Sequence, residues 1–256
     1  MKRILSIMLL SVLTCTLCVQ AGTRLLPLPQ QNTIKGGKVY IVSAGIADYP
    51  GTVNDLNYCD ADARTFASVY GAYSNVITRV LTNSQVTQSN VLAAMQQIFL
   101  KATANDAIIF FFSGHGSPGS FVTYDGELKY ERIYAIMKKS KAKTKCIFAD
   151  ACYAGKARTS TSQRQATAKN VMLFLSSRTN ETSLEIGSLR HGLFAYYIEK
   201  AMRGAADTNR DRAITAVELF NYVSKNVANY AKTNVNHQQH PVMWGNFPKN
   251  MVIFRY

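Results

Sequence analysis

The sequence predicts an α/β domain with a mostly parallel central sheet covered by helices on both faces. Three observations predict it. Several short runs are apolar at nearly every position, as strands buried on both faces must be. Amphipathic segments of helical period alternate with those runs. The chain has 256 residues and is 47% hydrophobic, enough to bury a core of that architecture.

The elements follow in order. Lys38–Ala44 (KVYIVSA) reads as a first buried strand. The next segment, DLNYCDADARTFASVYG, sets Ala61, Phe66, Val69 and Tyr70 near helical spacing and stops at Gly71. Asn75–Leu81 is a second strand, and Thr87–Ala102 is an amphipathic helix with Val91, Met95, Ile98 and Phe99 on one face. Ala107–Phe112 (AIIFFF) is a continuously apolar strand. Phe121–Tyr130 carries an Asp-Gly turn between β-prone arms and reads as a hairpin. Tyr130–Ser140 looks helical, and Cys146–Ala149 is the next buried strand. After Asn170 come a fifth strand (VMLFLSS) and a helix ending at Gly204. A further helix follows, with Thr215 and Glu218 at capping-box spacing. PVMWGNFPKNMVIF is expected to close the sheet edge.

Two segments stand apart from this rhythm. Lys2-Arg3, the apolar run Ile4–Leu17 and the small residues around Ala21 have the form of a cleavable signal peptide. That predicts export, secreted or periplasmic, with residues 1–21 removed and residues 22–37 as a mature N-terminal extension. The apolar run is shorter than the roughly 20 residues a membrane span needs, and no other segment could span. Residues 156–169 (KARTSTSQRQATAK) contain no apolar run and read as a mobile surface linker inside one domain spanning 38–256.

Formal net charge is +14. The densest lysine cluster, Lys138, Lys139, Lys141, Lys143 and Lys145, lacks interleaved aromatics and any nucleic-acid motif, so no nucleic-acid partner is expected. Removing the signal leaves three cysteines, Cys59, Cys146 and Cys152, an odd number that argues against a disulfide framework.

Cys152 lies in DACYAG, just beyond a buried strand, and His115 lies in SGHG, just beyond the preceding one. In open α/β sheets, ligands bind beyond the carboxyl ends of the strands. If the two strands are neighbours, imidazole and thiol meet there as a base and a nucleophile. His191, at a helix start, reads as structural, and His237 and His240 read as loop residues.

These motifs resemble those of the caspase-like cysteine peptidases, closest to the bacterial caspase-like and metacaspase branch. The resemblance extends to GIADYPG…LNYCDADA (Gly45–Ala63), to Leu193–Val223 and to QHPVMWGN. It implies a three-layer caspase-like fold and a cysteine endopeptidase. In it Cys152 is the nucleophile, His115 the general base and acid, and the N–H groups of Gly116 and Cys152 the oxyanion hole. It also implies that Asp150 and Asp62 line the pocket for the residue before the scissile bond. Two carboxylates there favour a cationic guest, so cleavage is expected after Arg or Lys of a peptide or protein substrate. Self-processing of a zymogen is expected in the linker, after Lys156, Arg158, Arg164 or Lys169. No cofactor is required for this chemistry. Calcium is a possible ligand, because Asp207, Asn209, Asp211 and Glu218 fall at EF-hand spacing, although Arg212 stands where such loops carry glycine. A catalytically inactive caspase-like binding module and a polyanion-binding interaction protein are the rival readings, and oligomeric state is left open.

Overall fold

A computed structural model describes residues 37–71, 75–151 and 171–255. The signal segment 1–21, the rest of the extension up to residue 36, Cys152 and the linker 156–169 lie outside the described residues.

Six strands form the central sheet: β1 (Val39–Gly45), β2 (Val76–Thr82), β3 (Ala107–Gly114), β7 (Thr144–Ala151), β8 (Val171–Leu175) and β12 (Val242–Trp244). Their spatial order is β12-β8-β7-β3-β1-β2. All neighbouring pairs are parallel except β12 against β8. Side chains alternate between faces along each strand. From β3, Ile108, Phe110 and Phe112 enter one core and Ile109 and Phe111 the other.

The first core is covered by α2 (Gln88–Phe99) and α3 (Tyr130–Lys139), through Val91, Met95, Ile133 and Met137. The second is covered by α1 (Cys59–Gly71), α4 (Leu193–Lys200) and α5 (Ala216–Val235). On that side Phe66 stacks on Phe111 with ring centroids 4.4 Å apart, and Phe174 meets Phe194 edge-on at 4.8 Å. The apolar runs are therefore strands because both of their faces are needed as core, which explains their lack of polar alternation.

The remaining strands are short. β4 (Gly116–Ser117), β5 (Ser120–Thr123) and β6 (Gly126–Lys129) make an antiparallel unit that contains the expected hairpin, with Asp125 and Gly126 at its turn. β9 (Glu185–Ile186) pairs with β10 (His191–Gly192). The C-terminal segment corrects one expectation. Only Val242–Trp244 joins the sheet edge, whereas β13 (Val252–Arg255) leaves to pair with β11 (Ala213–Thr215). Ile253 and Phe254 are needed against the second core, where Phe254 meets Tyr70 edge-on.

Lys145 also departs from the surface cluster expected of it. Its side chain is 8% exposed, and its ammonium donates to the carbonyls of Met137 (2.7 Å) and Ser140 (2.8 Å) at the end of α3. It satisfies helix carbonyls that have no intrahelical partner.

The capping box at α5 forms as the spacing predicts. Thr215 accepts from the Glu218 N–H, and the Glu218 carboxylate accepts from the Thr215 N–H and hydroxyl at 3.0 and 2.7 Å. Thr215→Ala is expected to lower unfolding free energy by about 1 kcal/mol in urea titration, with the m-value unchanged.

Candidate active site

Register fixes the site. Gly114, the last residue of β3, is paired with Ala151, the last residue of β7, and Ser113 with Asp150. His115 and Cys152 are thus the residues that follow an in-register pair on adjacent parallel strands. Ser176 holds the end of β7: its hydroxyl lies 3.2 Å from both the N–H and the carbonyl oxygen of Ala151.

His115 is half-buried and fixed on two sides. Its backbone N–H donates to the Tyr49 hydroxyl at 2.8 Å, and its ring lies against the Tyr49 ring at 4.9 Å. A Cβ on Gly114 would approach that hydroxyl to 2.7 Å, so the close approach requires glycine. His115 Nε2 is 2.8 Å from the carbonyl oxygen of Asn54. A carbonyl can only accept, so Nε2 carries the proton and Nδ1 of the neutral ring keeps its basic lone pair. Asn54 supplies a backbone atom here, which is why side-chain reading of the sequence passed over it. Gly116 sits in β4, immediately after the histidine.

Asp62 and Asp150 come together in the interior, 1% and 5% exposed. They flank Gly192, where a Cβ would lie 2.8 Å from Asp62 Oδ2 and 2.4 Å from Asp150 Oδ2. Asp62 accepts from the Ser113 hydroxyl (3.0 Å), from Nδ1 of His191 (2.7 Å) and from the Gly192 N–H. Asp150 accepts from the Ala195 N–H at 3.0 Å and from the Ser183 hydroxyl. Ser183 is positioned by Gln239, a fully buried amide that also binds the Ser176 carbonyl oxygen and the Leu184 N–H.

Burial dominates the electrostatics. It pushes the Asp150 carboxyl up to about 7, helped by the charge of Asp62 and opposed by the Ser183 and Ala195 donors. Burial also raises Asp62, outweighing the hydrogen bond and charge of His191. His191 is itself raised, first by its hydrogen bond to Asp62 and also by that carboxylate's charge, against the effect of burial. Its structural reading therefore misses its contact: it is the ring partner of a buried acid beside the pocket. The helix-start position gave no sign of this, since Asp62 lies 129 residues away in sequence.

A small pocket opens between these groups, lined by Leu56, Cys59, Ser113, His115, Asp150 and Glu185 among others. Glu185 adds a third carboxylate that the sequence reading missed. It accepts from the N–H groups of Asn57 (2.9 Å) and Tyr58 (2.7 Å), tying β9 to the start of α1. Cys59 is buried in the wall, and burial with the neighbouring acids holds its thiol well above its ordinary value. Cys146 is pushed up by burial to about 12. Neither is a nucleophile at neutral pH.

These features agree with comparisons to known proteins. The family described as Caspase domain matches residues 40–252. The chain belongs to that family. Over 96 residues it is 30% identical to Metacaspase-1 of Scheffersomyces stipitis, a match covering 34% of this chain and about a quarter (24%) of that protein. Caspase-1 from Spodoptera frugiperda shares the fold with a TM-score of 0.61 at 16% identity, over 86% of this chain and 90% of that one. A Geobacter sulfurreducens protein also gives 0.61, at 14% identity, over 85% and 98%. The three-layer arrangement and mostly parallel sheet are thus those of a caspase domain, and the family is one of caspase-like peptidases.

The EF-hand-spaced residues of this caspase domain lie elsewhere. Arg212 adopts the left-handed φ of +62° that a glycine would take, so the sharp turn forms despite the substitution. The oxygens are engaged locally. Asp207 accepts from the N–H groups of Arg210 and Arg212, Asn209 from Asp211, Asp211 from Ala213, and Glu218 caps α5. Among the described residues, no group of three or more His, Cys, Asp or Glu side chains could hold a metal. Asp207, Asn209 and Asp211 thus hold a local turn, and Glu218 holds the start of α5.

Three outcomes are expected. In carboxyl-resolved NMR titration, the Asp150 signal should show its midpoint near pH 7, far above an ordinary aspartate. His191→Gln, which keeps a donor but removes the cation, should move the Asp62 midpoint further up, because the ionised form loses its nearby positive charge. Adding millimolar calcium, or a chelator, should leave Tm unchanged; a rise with calcium would assign the loop to the ion.

Proposed function

We propose that this protein is an exported cysteine endopeptidase that cleaves after Arg or Lys, with Cys152 as nucleophile and His115 as base and acid. The observation that carries the reading is the in-register pairing of Gly114 with Ala151, beside a histidine whose Nε2–H is bound to Asn54. Nδ1 of His115 takes the thiol proton, and the thiolate adds to the scissile carbonyl carbon. Negative charge develops on the carbonyl oxygen, to be met by the N–H groups of Gly116 and Cys152. Collapse breaks the C–N bond, and His115 returns its proton to the leaving amine. Water then hydrolyses the thioester, with His115 as base, releasing the new carboxyl end and the thiol.

Specificity is argued from charge. Asp150 and Glu185 line the pocket, with Asp62 buried beside Gly192, and among the described residues His191 is the partner of these acids able to carry positive charge. A guanidinium or ammonium guest restores balance and stabilises the ionised form of Asp150. An acidic guest would add a like charge in a desolvated place, a penalty of roughly several kcal/mol. Self-processing after Lys156, Arg158, Arg164 or Lys169 follows from the same preference.

A peptide-library digest tests this reading. Wild type should cut after Arg and Lys and leave Asp untouched; Cys152→Ala and His115→Ala should each abolish turnover while the protein stays folded. Asp150→Ala should raise KM and lower kcat on Arg substrates. Purified wild type should run as two fragments and Cys152→Ala as one. Cleavage after Asp alone, or near-wild-type turnover by Cys152→Ala, would overturn the reading.

A further inference from the structure

Charge is segregated along the strand axis. The segments flanking the N-terminal ends of the parallel strands carry six exposed lysines: Lys38, Lys101, Lys138, Lys139, Lys141 and Lys143. The strand starts that set this pole are aligned, with Val39 paired to Ala107 and Ala107 to Thr144. Adjacent strands lie roughly 5 Å apart, so Lys38 and Lys143 begin from backbone positions separated by about 10 Å. The Ser140 hydroxyl donates to the Phe99 carbonyl oxygen at 2.8 Å, which brings the ends of α2 and α3 together and adds Lys101 to the group.

One acid lies in these segments, Asp106. It is buried, accepting from the N–H groups of Lys38 and Thr103 at 2.6 Å each. None of the six lysines forms an ion pair among the described residues. Helix C-termini attract cations, but Lys145 already occupies the last carbonyls of α3, so the exposed lysines exceed what that end requires. Among the described residues, the other pole, beyond the strand ends, carries more acids than bases. Its connections carry Asp48, Asp55, Asp125, Glu127, Glu181 and Glu185 against Lys129, Arg178 and Arg190.

We propose that the lysine pole is a docking face for a bilayer bearing anionic phospholipid headgroups. A molecule with this charge separation is turned by a negative surface, its lysines drawn in and its acidic pole held away. That orientation leaves the pocket of His115 and Asp150 facing solvent. The chemistry of the patch favours headgroups over nucleic acid. Among the described residues it consists of lysine point charges, with no arginine fork among them and no exposed aromatic ring on which a base could stack. The proposal does not depend on peptidase activity.

Co-sedimentation of the full chain with phosphatidylglycerol vesicles tests it, with phosphatidylcholine vesicles as the neutral reference. Binding to the anionic vesicles should exceed the reference at least about tenfold and be lost near about 0.5 M salt. Lys139→Gln/Lys141→Gln/Lys143→Gln should remove most of that excess. Lys129→Gln/Lys225→Gln/Lys232→Gln, which lowers net charge equally away from the pole, should retain it. Thermal melts establish that both variants are folded, and the pair Lys141→Gln/Lys143→Gln, outside any helix, replaces the triple variant if it is not. Equal binding to neutral vesicles, equal loss in the two triple variants, or tighter binding to a single-stranded RNA than to the anionic vesicles would overturn the proposal.

Discussion

Two aspartates buried side by side around Gly192 constrain the whole upper end of this domain. A desolvated carboxylate is tolerated only where donors converge on it. The donors to Asp62 and Asp150 come from β3 (Ser113), β10 (His191 and Gly192), α4 (Ala195) and the segment before β9 (Ser183). Satisfying the pair therefore fixes how α1, β7, α4 and the β9–β10 ribbon meet. Gln239 extends the constraint to the C-terminal segment, since Ser183 reaches Asp150 while held by that amide. Even so, burial keeps the Asp150 carboxyl near 7. A carboxyl raised this far by its surroundings is a sign of function more than of stability.

The sheet beneath supplies rigidity and register. Because β3 and β7 are parallel and paired to their last residues, one strand ends at Gly114, just before His115 in the chain, where the other ends at Ala151, just before Cys152 in the chain. A parallel sheet with helices on both faces leaves its strand ends as the open edge, and chemistry collects there. The loop between β1 and α1 folds over this edge. Its Tyr49 hydroxyl, Asn54 carbonyl and Asn57 N–H groups contact His115 and Glu185, so a segment without regular structure still orders the site.

Much of this was legible in the chain. The apolar runs identified the sheet strands because residues buried on both faces cannot alternate with polar ones. The β13 segment misled for a related reason: Val252–Phe254 has strand character, but nothing local reveals which partner it will pair with, and β11 lies some forty residues earlier. Lys145 misled in the opposite way. It sits among surface lysines in sequence, yet strand alternation turns it inward to the end of α3. His191 gave no local signal at all, because its role comes from a carboxylate on a distant helix.

What the sequence by itself determined is what depends on near neighbours: the strand and helix periods, the capping box at Thr215, the glycines around His115, and the motifs that carry the family resemblance. Tertiary structure alone decided which distant groups share a low-dielectric space. It paired Asp62 with His191, brought Glu185 to the start of α1, gave His115 its Asn54 carbonyl, and gathered lysines from three segments onto one pole. The physical reason is that propensity and periodicity act over a turn or two of chain, whereas desolvation and charge act between whatever the fold brings within a few ångströms.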